Sequence, residues 1–156
     1  MASMSELVAG VAGRDDWKAL PAEQAGWDVP GAQLPEDLVD FGRLCGGIRT
    51  PEGLVIARNV RRAQPALLGE VRPEDRSFHW YVIAETDAAG TAERAVIDLH
   101  PARLGRCYDA FWDRFAVAGS SAVVAWSFTD FVARVIDAGG AAYWSSQSLG
   151  MGDAYD

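Results

Sequence analysis

Residues 121–140, SAVVAWSFTDFVARVIDAGG, read as an apolar strand running straight into an amphipathic helix. Ser127 stands as the N-cap, with Asp130 three residues on in the position of a capping box. Phe128, Phe131, Val132, Val135 and Ile136 recur at i, i+3, i+4, i+7 and i+8, the spacing of one buried helical face. Gly139 and Gly140 then give the chain a left-handed exit that costs little without a Cβ. The joint carries none of the catalytic residue types an enzyme would need there, so the segment is built to dock.

Upstream, LPEDLVDFGRLCGG at residues 34–47 predicts a second helix. Pro35 suits a first helical position, Glu36 and Asp37 complement the positive end of the helix dipole, and Gly46 and Gly47 turn the chain. Leu38, Phe41, Leu44 and Cys45 form the inward stripe. Gly42 inside this helix costs about 1 kcal/mol relative to alanine unless something packs closely over it, which points to a tight neighbour. Before it, residues 1–33 hold a short helix at Met4–Ala12 and a passage rich in Gly, Pro and Trp. Trp17 and Trp27 are costly to leave wet, so this flank is expected to pack, ordered, on a domain spanning 34–156.

Between the two helical signals the pattern is one of strands and turns. Strands are expected at Leu54–Ala57, Phe78–Ala84, Ala95–Leu99, Leu104–Tyr108 and Ala122–Trp126, with a last short one at Ala141–Ser145 and a turn at Thr86–Thr91. The fold class is therefore α+β, a central, mainly antiparallel sheet flanked by N-terminal and C-terminal helices.

The chain of 156 residues has 22 acidic and 14 basic side chains, a formal net charge of −8, and Lys18 is its one lysine. Such a surface repels phosphate backbones and anionic membranes and attracts a basic protein partner, most strongly at low salt. Nucleic-acid and membrane binding are thus not expected. The start, MASMSELVAG, has no basic n-region followed by a long apolar core. A cytoplasmic location is expected, with Cys45 and Cys107 free and reduced in the core.

Asp98, His100 and Cys107 invite a Cys/His nucleophile, in which the imidazole activates the thiol and the acid orients the imidazole. Against it, His100 precedes Pro101 in a loop, and Cys107 lies inside an apolar strand where a thiol is inert. His79 and His100 are the only histidines, and no CxxC, HxxxH, calcium-loop, GxGxxG or P-loop pattern occurs, so neither metal nor cofactor is expected. What remains is GRCYDAFWDRF, residues 105–115. There Asp109, Trp112 and Asp113 could anchor an interface, with Trp80 contributing from the central strand. The same aromatics could equally cap the sheet and leave only the acids exposed, and Arg58, Arg61 and Arg62 read as a solvated basic face.

LPEDLVDFGRLCGGI, AVIDLHPARLGRCYD and VVAWSFTDFVARVI, in this order across residues 34–137, resemble the SUKH superfamily of fungal cell-wall-assembly regulators and bacterial toxin-immunity proteins. The chain departs from the family pattern at TDAAGT, which lacks a Gly-Asp step, and at TPEGL, where many members carry an aromatic. The resemblance implies an α+β fold, no catalytic activity and function through protein binding. The expectation is an immunity protein that occludes a toxin, such as a basic nuclease, and the alternative is a regulatory scaffold module.

Overall fold

The computed structural model describes residues 2–63, 71–86, 92–111, 114–145 and 149–156. Strand β4 (Trp80–Thr86) shows why a sheet forms: Tyr81 and Ile83 enter one apolar core, while Trp80 and Val82 enter another on the opposite face. Its neighbour β5 (Arg94–Asp98) repeats the alternation with Ala95 and Ile97 against Val96. Among the described residues, β1 (Lys18–Ala19), β2 (Ile48–Arg49), β3 (Leu54–Arg62), β4, β5, β6 (Cys107–Asp109) and β7 (Val123–Ala125) make one sheet. The strands lie side by side in chain order, and every pair is antiparallel.

Helices α1 (Met4–Ala12), α2 (Glu36–Leu44) and α3 (Phe128–Asp137) supply the first core with Met4, Val8, Leu38, Phe41, Phe128, Phe131 and Val132 against Ile56, Ile97 and Cys107. On the other face Trp80, Val96, Tyr108 and Val123 are covered by Phe115 and by Ala154 near the C-terminus, with Tyr155 packed against them. The fold is α+β, with a sheet buried on both sides and helices drawn from the two ends of the chain.

Several boundaries differ from expectation for local reasons. Pro35 is the N-cap of α2 instead of its first helical residue, and the backbone turns extended at Cys45, which fills the inward position and leaves Leu44 44% exposed. A 3₁₀ turn at Arg76–His79 delays β4 to Trp80. Residues 104–106 close the β5–β6 hairpin, with Gly105 at φ +95°. Ala141–Ser145 is not a strand: Tyr143 and Trp144 pack on Phe131 instead, and the last pairing is an antiparallel bridge between Ala122 and Asp153. The turn expected at Thr86–Thr91 falls mostly outside the described residues.

Strand β3 runs past Ala57 to Arg62 because a bulge absorbs the register shift between Ile56 and Arg61. Ala57 sits there at φ +51°, in the left-handed region. Its carbonyl accepts the Trp27 indole N–H at 2.7 Å. Beyond the bulge the flank runs beside β3: Gly26 N–H donates to the Arg58 carbonyl at 2.8 Å and Asp28 N–H to the Val60 carbonyl at 2.7 Å. Trp27 also explains Gly42, since a Cβ built there would lie 2.8 Å from the indole ring. A Cβ on Gly46 would likewise run into the Pro21 carbonyl. Trp17 is in the helix-side core, so the flank contributes to the interior.

Candidate protein-binding surface

Three chain turns meet at one corner of the molecule. Trp126 follows β7 directly and precedes Ser127, the N-cap of α3. Ser127 Oγ accepts the Asp130 N–H at 3.0 Å, and Asp130 in return accepts the Trp126 N–H at 3.0 Å and the Arg134 Nε–H at 3.0 Å. Asp37, from the first turn of α2, accepts both the N–H and the hydroxyl of Thr129, at 2.8 and 2.9 Å. The start of α3 is thus held by carboxylates from its own sequence and from α2, which satisfies donors the helix cannot pair internally.

This rigid frame presents an indole to solvent. Trp126 is 51% exposed, with the Arg106 guanidinium 5.7 Å from its ring centre. On α2, Glu36, Asp40 and Leu44 are also exposed. Residues 1–40 carry eight acidic and two basic side chains, a surplus of six that makes up most of the net −8. A fixed aromatic with a stacked arginine beside a negative field has the composition of an interface anchor.

The residues singled out from the 105–115 segment and the central strand fare differently. Trp80 is fully buried, with Tyr108 and Phe115 against its ring at 5.0 and 5.6 Å. Asp109 is 5% exposed, paired with Arg114 at 2.8 Å and accepting the Phe111 N–H at 3.0 Å. Both therefore lie in the interior of this structure. Trp112 and Asp113 lie outside the described residues. Trp126 was hidden in the sequence as the end of an apolar strand. Its signal is its place one residue before the N-cap, where the alternation of β7 has already ended.

Asp98, His100 and Cys107 do not converge. Asp98 is buried and accepts the Tyr108 hydroxyl at 2.7 Å, Arg103 Nε at 2.8 Å and the His100 N–H at 3.0 Å. His100 Nδ1 accepts the Ala102 N–H, and the Cys107 thiol faces the carbonyls of Gly105 and Ser127. Burial pushes the Cys107 thiol well above its ordinary value, and the Asp37, Asp130 and Asp98 charges add in the same direction, so no thiolate is available. Among the described residues no group of three or more His, Cys, Asp and Glu could hold a metal ion, and no helix is long and apolar enough to cross a membrane.

The chain is 34% identical to the immunity protein YokJ of Bacillus subtilis (strain 168) over 162 aligned positions, covering 99% of this chain and 96% of YokJ. It belongs to the YokJ family of immunity proteins. No family model and no solved structure matches it. Because the likeness runs from end to end, the N-terminal flank and the C-terminal tail are both part of what this YokJ relative has in common with the family.

Proposed function

We propose that this protein neutralises a protein toxin in the cytoplasm by covering its active face, that the toxin presents a basic surface, as a nuclease would, and that the fold is that of the SUKH superfamily. The main support is the end-to-end relationship to YokJ, whose name describes an immunity protein. SUKH membership is favoured by the two motif segments, LPEDLVDFGRLCGGI and VVAWSFTDFVARVI, which touch through Asp37 and Thr129. Trp126, with Arg106 over its ring, is the anchor of the proposed contact surface, with exposed Glu36 and Asp40 of α2, Trp112 and Asp113 as further contributors. Complementary charge would speed encounter, and burial of the indole would slow release.

Replacing Trp126 by alanine tests this. Truncating a buried interfacial tryptophan costs at least about 2 kcal/mol, a loss of roughly thirtyfold in affinity expressed mainly in the off-rate. A half-exposed side chain contributes little to the monomer, so the melting temperature should stay within a degree or two of the parent's, as for surface changes of about ±0.5 kcal/mol. Toxin captured from cells that carry both proteins, and measured by surface plasmon resonance, gives the readout. Equal affinity in Trp126→Ala and parent places the contact elsewhere, and capture of a regulatory protein with no toxic activity replaces immunity by the scaffold role.

A further inference from the structure

Arg61, Arg94, Arg103, Arg114 and Arg134 each meet a carboxylate. Arg62, the last residue of β3, meets none among the described residues. Its guanidinium lies 3.9 Å from the centre of the Phe78 ring and 5.5 Å from that of Tyr81, and donates through Nη2 to the Tyr81 hydroxyl at 3.0 Å. Its Nε–H is buried with no acceptor. In a chain with net charge −8, a stacked guanidinium left without a counter-ion is an unfilled recognition group.

Arg62 lines a cleft of about 350 Å³ between residues 30–33 of the flank and the 3₁₀ turn before β4, with Phe78, His79, Tyr81, Leu99 and Pro101 completing the wall. His79 packs edge-on against His100 at 4.8 Å. Burial lowers the His79 pKa, with His100 next in effect, so its imidazole is neutral near pH 7 and can hydrogen-bond without adding charge. The cleft therefore combines one planar cation fixed on an aromatic ring, a hydroxyl, a neutral imidazole and apolar walls. An arginine fork pairs edge to edge with a two-oxygen anion, and the flat Phe78 and Tyr81 rings beside it suit a planar carboxylate.

We propose that the Arg62–Phe78–Tyr81 cleft is a binding site for a carboxylate, held by the guanidinium edge with His79 as a second polar contact. It shares no lining residue with the Trp126 surface and does not depend on it. The carboxylate could be a free dicarboxylic acid or a glutamate side chain of a protein, and two probes distinguish these sources.

The test is a titration of the full-length, ¹⁵N-labelled protein at constant ionic strength with succinate, with the side-chain mimic N-acetylglutamate methylamide, and with inorganic phosphate. At least one carboxylate should shift the Gln33 amide and His79 ring signals saturably, with a dissociation constant on the order of 1 mM or tighter, and phosphate should be weaker. Stronger binding of succinate assigns a free dicarboxylate, and stronger binding of the mimic assigns a protein side chain. Arg62→Gln should abolish saturation, Arg62→Lys should weaken it by roughly tenfold because the charge stays and the planar fork is lost, and Arg61→Gln should leave it intact. Arg62→Lys alone decides the matter if Arg62→Gln does not fold. The proposal fails if neither carboxylate saturates, if phosphate binds as well as both, or if Arg62→Lys binds as tightly as the parent.

Discussion

Asp98 shows how a residue that looks catalytic in the sequence becomes structural once its partners are known. A fully buried carboxylate is tolerated only because a hydroxyl, a guanidinium and a backbone N–H converge on it. Asp98→Asn keeps the shape but turns a donor toward donors and leaves Arg103 half-compensated, which should cost about 3 kcal/mol, in the range for breaking a buried pair. Tyr108→Phe removes one hydrogen bond and should cost about 1 kcal/mol. Urea unfolding of the two variants checks the order; a smaller loss for Asp98→Asn than for Tyr108→Phe would refute it. The sequence could show that Cys107 is inert, because it falls inside the strand read at Leu104–Tyr108, but not that Asp98 turns away from it. That depends on Arg103 folding back across a 3₁₀ turn, which no periodicity encodes.

At the level of elements, α3 was legible almost to the residue, since its cap, stripe and glycine exit all lie within one window of sequence. Helix α2 was legible except at its end, where Cys45 instead of Leu44 turns inward. The bulge in β3 was not legible, because the group that meets it, the indole of Trp27, is thirty residues away. Gly42 joins the two cases: its helix-weakening presence signalled a close neighbour, and only the structure names Trp27. Gly42→Ala should therefore be destabilising. Its gain in helix propensity is about 1 kcal/mol, whereas pushing aside an indole already tethered to Ala57 costs about 1–3 kcal/mol as overpacking. Thermal unfolding should show a lowered midpoint, and a raised midpoint would mean that the tether yields freely.

For the molecule as a whole, the antiparallel α+β architecture followed from the alternating strands, while the binding surface did not. Aromatic and acidic residues in one segment look alike whether they face a partner or a second core, and Trp80 and Asp109 prove to belong to the interior. The two cores together also set a pH limit. Burial raises the Cys107 thiol from 9.0, and burial raises the Tyr108 and Tyr143 hydroxyls from 10.0, with Asp98 adding to Tyr108. The unfolded chain gives up these protons at the ordinary values and the folded chain holds them. Stability is therefore undiminished below those values and falls as pH rises above them. The urea midpoint, followed from about pH 8 to about pH 11, should drop, and Tyr108→Phe should flatten the drop. A midpoint constant over that range would show that the hydroxyls ionise in place. Chain-order strand pairing has a kinetic consequence as well. Each ladder joins near neighbours and can form early, whereas the Thr50 hydroxyl reaches the Gly140 carbonyl 90 residues away at 2.7 Å and must wait for both ends of the sheet. Thr50→Val should therefore speed unfolding and leave refolding nearly unchanged in stopped-flow traces, so that a long-range latch of this kind lengthens the time the protein survives once it has folded.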